Sequence, residues 1–316
     1  MKVYVKTPAR LHLGLIDLNG DLGRMFGGLG VGINRPNVIL EAQPAERFAV
    51  TGEKTEQVKT LAKRFLETYN IKSNVTIEVK QVIPEHSGLG SGTQLALAVA
   101  TALTRLFEVK ASVQELAEAM GRGRRTSVGT TIFEQGGFVV DGGKSTSEKR
   151  FPATIFRQPF PEDWRFVVAV PDINKGLAKD GETAAFKALT PMKSEEAGKM
   201  CRLIMMKLLP SLVERDIESF GEALTQLQIV IGDYFAEVQG GTYSSQAAAE
   251  GVALMQKLGA YGAGQSSWGP AFYGVTQKEK AKEIETKIKS FLKKSVGGQV
   301  FTAKANNRGA YIKVTK

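Results

Sequence analysis

The sequence predicts an α+β fold in two domains, and three observations carry that reading. Several strand-like alternating segments and one amphipathic helix occupy the first 80 residues, a glycine-rich turn feeds a helix that is apolar almost all round, and the second half mixes amphipathic helices with strands. At 316 residues the chain is long enough for two domains of roughly 100–200 residues each. A change of character near residue 175 divides it into 1–175 and 176–316.

The elements follow in order. Val3 and Val5 alternate with lysines, and Leu11, Leu13 and Leu15 alternate with His12 and Gly14, as half-buried strands do. A glycine-rich stretch covers 23–33, and Val38, Leu40 and Ala42 suggest another strand. Val58, Leu61, Ala62, Phe65 and Leu66 fall at helical spacing, so 55–69 is an amphipathic helix. Val75, Ile77 and Val79 form a strand that runs into PEHSGLGSGT and then into 93–107, a helix buried on most faces. Ser112 with Glu115 three residues later is a capping-box start for a helix over 112–120. The stretch 121–143 reads as loop-rich, ending in a strand over 138–140, and 164–170 is a further strand. Beyond it, 194–232 is helical, then helices over 245–258 and 278–292 alternate with strands over 271–275, 299–303 and 310–314.

Composition excludes several function classes. One cysteine, Cys201, rules out a disulfide framework and a multi-cysteine zinc site, and two histidines, His12 and His86, rule out a histidine-rich metal centre. Lys and Arg number 42 against 32 Asp and Glu, a balance of +10 that suits an anionic ligand. No apolar run reaches membrane-spanning length, and the first residues pass into strand-like sequence without a signal-like segment, so a cytoplasmic location away from membranes is expected. Glycine is in excess, 34 residues against an average of ~7%.

The glycines cluster where chemistry is expected. In the run 84–93, Gly88, Gly90 and Gly92 let backbone amides approach a ligand, the following helix adds its unsatisfied N–H groups, and Ser87, Ser91 and Thr93 supply hydroxyls. Together with Leu89 these residues form a candidate phosphate or pyrophosphate loop; the alternative is a capped strand-to-helix turn. A second cluster, GAGQSSWGP, places Trp268 among glycines, where a large ring caps a core or stacks on a planar ligand.

The order of PARLHLG at 8–14, the GLGS run within 84–93 and GAGQSS at 262–267 resembles the three signature motifs of the GHMP kinase superfamily. The resemblance spans nearly the whole chain. It implies a ribosomal-protein-like N-terminal domain with a left-handed βαβ crossover, a ferredoxin-like C-terminal domain and a ligand cleft between them. Gly92 departs from the kinase pattern, which has a serine whose hydroxyl is associated with magnesium and phosphate. Gln265, Ser266, Ser267 and Trp268 likewise replace a more glycine-rich stretch. With ARLHLGLIDLNGDLGRMFGGLGVGI, GRGRRTSVGTTIFEQGGFVVDGG and YFAEVQGGTYSS, these features are similar to one branch, the β-ribofuranosylaminobenzene 5′-phosphate synthases of methanopterin biosynthesis.

That resemblance implies a decarboxylating transfer of ribose 5-phosphate from phosphoribosyl pyrophosphate to 4-aminobenzoate or 4-hydroxybenzoate, with Mg²⁺ and a homodimer expected. Arg10 and His12, on one strand face, join Asp17 and Glu134 as candidate catalytic residues, with a surface ion pair and a polar core group as their alternatives. Asp17 and Asp141 are candidate magnesium ligands, since hard cations take oxygen donors. Arg24, Gly27, Gly28, Gly136, Gly137, Gln265, Ser266, Ser267 and Trp268 are candidate substrate contacts, and Arg122, Arg124 and Arg125 could hold a sugar phosphate. Phe26 and Tyr243 are further candidates for stacking on the aromatic acid. Two rival readings are an ATP-dependent small-molecule kinase of the same fold and a non-catalytic nucleic-acid-binding protein; the absence of a basic block with interleaved aromatics opposes the second.

Overall fold

The computed structural model describes residues 1–173, 184–186 and 188–316. Its first sheet has the order β14 (Tyr311–Thr315), β1 (Lys2–Lys6), β4 (Ile39–Pro44), β6 (Val75–Gln81) and β5 (Ala49–Gly52). β5 and β6 pair in parallel and α1 (Thr55–Thr68) connects them, so this is the crossover unit of the sheet. Across the sheet lies α2 (Ser91–Leu106), which touches α1, β1, β4, α3 (Val113–Ala119) and α4 (Val128–Gln135). Neighbours on every side explain why its sequence is apolar all round. Leu97, Val99 and Leu103 are fully buried, each stabilising by about 1.5–3 kcal/mol before conformational entropy is charged. The Ser112 hydroxyl and the Glu115 carboxylate close the expected capping box on α3.

The second sheet runs β2 (Ala9–Asp17), β3 (Arg24–Ile33), β7 (Phe138–Asp141) and β9 (Thr154–Gln158), with β8 (Lys144–Ser145) also on β3. The stretch read from sequence only as glycine-rich is therefore a strand, and the stretch read as loop contains a helix, α4. One explains the other. α4 packs straight onto β3: a Cβ on Gly30 would stand 2.5 Å from Val128 Cγ1 and 2.7 Å from the Leu11 carbonyl oxygen.

The third sheet has the order β11 (Gly262–Gln265), β12 (Phe272–Gln277), β10 (Trp164–Pro171) and β13 (Gly298–Ala303). Strand pairing crosses the division near residue 175, a point that itself lies outside the described residues. β10 precedes it yet pairs with β12 and β13, and β14 follows it yet pairs with β1, because backbone partners and not sequence order decide which sheet a strand joins. The helical stretch after 194 is also not one element. It comprises Ser194–Leu203, a π-helical turn Ile204–Leu208, Leu209–Glu214 and a long helix Ile217–Gln239. Arg215 takes a left-handed conformation, and the Asp216 carboxylate then accepts from the amides of Glu218 and Ser219 at 3.1 Å each, starting the long helix anew. Phe160, Trp164, Phe166 and Phe220 close the core beneath it, with ring centroids 5.0–5.6 Å from Phe160. Among the described residues no helix is long and apolar enough to cross a membrane.

Candidate active site

Three distant segments meet at one hydroxyl. Ser266, fully buried after β11, accepts from the His12 amide of β2 at 2.9 Å and donates to the Gly88 carbonyl before α2 at 2.7 Å. Arg10 Nη1 donates to that same carbonyl at 3.1 Å, and the Arg10 amide donates to the Leu89 carbonyl at 3.0 Å. Gln228, on the long helix, donates to the Leu13 carbonyl at 2.6 Å and accepts from the Gln265 amide at 2.8 Å. All three motif segments are therefore held as one unit at the junction of the sheets. A cleft of about 500 Å³ opens beside it.

One end of the cleft is positive. α2 begins at Gly90, whose left-handed conformation and missing side chain leave the first turn without a side-chain cap, so the amides of Ser91 and Gly92 face the cavity end of the helix dipole. Arg10, Arg122, Arg124 and Arg125 line the same cleft, against a single lining carboxylate among the described residues, Glu85. The other end is aromatic. Trp268 lies 4.6 Å from Phe235 and 5.7 Å from Phe186 between ring centroids, and the Arg125 guanidinium sits 4.5 Å over the Phe186 ring.

His12 stands between them, nearly buried. Burial, reinforced by the Arg10 charge, holds its imidazole well below the usual 6.5, so the ring is neutral at pH 7. Since the unfolded chain takes up the proton more readily, this contribution is complete above about pH 6.5 and is lost as pH falls. The expected result is that His12→Asn flattens the loss of stability between pH 7 and pH 5, measured by urea unfolding at each pH. Identical slopes in variant and parent would remove the assignment.

Of the sequence candidates, Arg10, His12, Gly88, Gly90, Ser91, Gly92, Thr93, Arg122, Arg124, Arg125, Gln265, Ser267 and Trp268 line the cleft. Ser87, Leu89 and Ser266 are buried behind it, the first donating to the Pro84 carbonyl at 2.7 Å. The remaining candidates lie outside the cleft lining. Asp17 accepts from the amides of Asn19 and Gly20 at 2.7 and 3.1 Å, a turn made by its own loop. Arg24 donates to the Gly142 and Gly143 carbonyls at 2.7 and 2.8 Å, tying a hairpin. Glu134 is exposed at the end of α4, while Gly136 and Gly137 are buried against 306–309, where the Gly137 amide donates to Asn306 at 2.7 Å. Gly27 and Gly28 lie in β3 under Ile16 and Thr126. Phe26 packs edge-on against Phe186 behind the cleft wall, and Tyr243 packs with the cluster around Val252 and Phe272.

Asp141 also lies outside the cleft lining. It is fully buried, and its carboxylate accepts from the amides of Gly28 at 3.1 Å, Gly143 at 2.9 Å and Ser127 at 2.8 Å, which leaves no face for a metal. Burial pushes its carboxyl up to about 6 against the pull of those donors. Its role is to anchor the start of α4 and the arginine loop before it. Asp141→Asn is expected to cost about 2–4 kcal/mol, because an amide nitrogen would face a buried N–H; denaturant unfolding checks this, and a loss under about 0.5 kcal/mol would contradict it. Among the described residues no group of three or more His, Cys, Asp and Glu side chains is placed to hold a metal ion.

Several lining residues escaped the sequence reading: Glu85, His86, Phe186, Gln228, Phe235 and Gln239. Glu85 and His86 fall within the PEHSGLGSGT run, and Phe235 and Gln239 within the YFAEVQGGTYSS segment, but none of them was singled out as a ligand contact.

Comparison with known proteins agrees with this architecture. The GHMP kinases N terminal domain pattern matches residues 56–137 and the GHMP kinases C terminal pattern matches 208–294. A homoserine kinase structure from Cytophaga hutchinsonii superposes with a TM-score of 0.72 at 18% identity, covering 99% of this chain and 97% of that one, which establishes the fold class as that of the GHMP kinases. Two β-ribofuranosylphenol 5′-phosphate synthases are more similar in sequence. That of Archaeoglobus fulgidus is 36% identical, covering 98% of this chain and 99% of the relative, and that of Methanothermobacter thermautotrophicus is 32% identical, covering 99% of each. The chain belongs to this synthase family within the GHMP kinase superfamily and is an enzyme of the pentosyltransferase type.

Proposed function

We propose that the protein transfers ribose 5-phosphate from phosphoribosyl pyrophosphate to a para-substituted benzoate, with loss of carbon dioxide, in methanopterin biosynthesis. The observation that carries this reading is the pairing, in one cleft, of an arginine-lined helix N-terminus with an aromatic wall. The bond between ribose C1 and the diphosphate oxygen breaks, and the electron pair leaves with the diphosphate, where the α2 amides and arginines stabilise it. The ring carbon bearing the carboxylate then bonds to C1, and the carbon–carboxylate bond breaks to return its electrons to the ring. Carbon dioxide departs where a proton otherwise would, so a neutral, buried His12 is no obstacle: the step needs orientation more than a general base. Phe186, Phe235 and Trp268 form the surface on which the acceptor ring is placed. Magnesium enters this reading with the diphosphate oxygens, carried in by the substrate and not held by Asp17 or Asp141. The relatives' name denotes a phenol product, which favours 4-hydroxybenzoate over 4-aminobenzoate as acceptor.

Incubation with phosphoribosyl pyrophosphate, Mg²⁺ and carboxyl-labelled 4-hydroxybenzoate or 4-aminobenzoate tests this. Labelled carbon dioxide with stoichiometric pyrophosphate is the expected result. ATP turnover with an alcohol acceptor, and no labelled gas from either acid, would replace the reading with that of a kinase.

A further inference from the structure

We propose that Arg122 makes the cleft selective for a diphosphate: its guanidinium and the first-turn amides of α2 grip the two phosphates together, while the 5-phosphate of the same substrate is held elsewhere. This rests on the phosphoribosyl transfer reading above.

The geometry is specific. Arg122 follows α3 on a loop pinned by two backbone hydrogen bonds, Gly121 to the Glu118 carbonyl at 2.9 Å and Arg122 to the Ala117 carbonyl at 2.7 Å, so its origin is fixed. From there the side chain reaches α2. Its Nη1 and Nη2 lie 3.1 and 3.4 Å from where a Cβ on Gly92 would stand, which lays the guanidinium against the first turn of the helix. A side chain at position 92 would crowd the guanidinium. Nε is buried with no hydrogen-bond partner, and no carboxylate pairs with Arg122 among the described residues.

The electrostatics point the same way. Arg122 sits at the positive end of a helix dipole, and Arg124 and Arg64 press like charges on it while burial removes water; all three effects disfavour its charge. A cation held there without an anion destabilises the ligand-free protein, and an incoming polyanion relieves it. Amides on one side and a planar fork on the other offer two neighbouring anion positions, which a diphosphate fills and a single phosphate does not. Within phosphoribosyl pyrophosphate the diphosphate is the group bonded to C1, the atom that must meet the acceptor ring. The anion end that shares its cleft with the aromatic wall is therefore the diphosphate's end.

The test compares Arg122→Gln and Arg122→Lys with the parent enzyme by calorimetric titration with inorganic pyrophosphate and with ribose 5-phosphate, alongside melting curves without ligand. For Arg122→Gln, pyrophosphate affinity is expected to fall at least about 30-fold, ribose 5-phosphate affinity to change less than about twofold, and the ligand-free melting temperature to hold or rise. Arg122→Lys, a point charge without the fork, falls between. A pyrophosphate affinity within about threefold of the parent, or an equal loss for ribose 5-phosphate, would overturn the assignment. A lowered ligand-free melting temperature in Arg122→Gln that Arg122→Lys restores would overturn it in favour of a structural role. Arg122-dependent pyrophosphate binding in an enzyme that releases no carbon dioxide would sink the transferase reading while leaving Arg122 as a diphosphate ligand.

Discussion

Gly88→Ala is expected to cost about 3–5 kcal/mol of stability and to abolish pyrophosphate binding in whatever fraction still folds. Gly88 has φ of +81°, and a Cβ there would stand 2.1 Å from the Ser266 carbonyl oxygen. Both partners are backbone, so no flexible side-chain end can yield. The only relief is separation of the two segments, which breaks the 2.7 Å bond from Ser266 Oγ to the Gly88 carbonyl and frees the loop from β2. Gly198→Ala is the control. That glycine is exposed within the helix Ser194–Leu203, a Cβ there meets nothing within 4 Å, and the change should stabilise by about 0.5–1 kcal/mol through helix propensity. Thermal unfolding and pyrophosphate titration of both variants check the contrast; a Gly88→Ala protein with parental melting and binding would refute the joint.

Trp268→Ala is expected to lower stability by about 3–5 kcal/mol and to raise the KM for the aromatic acid at least about tenfold, with the KM for phosphoribosyl pyrophosphate little changed. The ring is 9% exposed and is braced by Phe235 and Phe186, so deletion leaves a hole that flanking backbone cannot fill: Ser267 and Gly269 on either side both take positive φ. Trp268→Phe separates packing from recognition by keeping an aromatic face. Steady-state kinetics with each substrate varied in turn provides the reading. An unchanged acid KM in a folded Trp268→Ala enzyme would remove this ring from the acceptor site.

Local patterns proved legible. The α2 helix was visible because burial on all sides demands apolar residues on all sides, and the α3 start because Ser112 and Glu115 satisfy each other's amides within four residues. The loop ahead of α2 was legible for the same reason: close backbone approach at Gly88 and positive φ at Gly88 and Gly90 favour glycine. What stayed hidden depended on partners far along the chain. α4 lacks a side-chain cap and spans only eight residues, so nothing local announces it. Asp141 resembled a metal ligand because an isolated carboxylate looks the same in sequence whether it meets a cation or the Gly28 amide, 113 residues away.

By itself, then, the sequence determined the fold class and the family, since both are written in short-range periodicity and in motifs that short segments carry. Only the tertiary structure decided which charges face the cleft. Strand pairing carried Asp141 and Arg24 into the framework, while packing brought Arg122 onto the first turn of α2 and Phe235 against Trp268. The physical reason is that a side chain's role is set by what fills its last few ångströms, and those neighbours come from elsewhere in the chain.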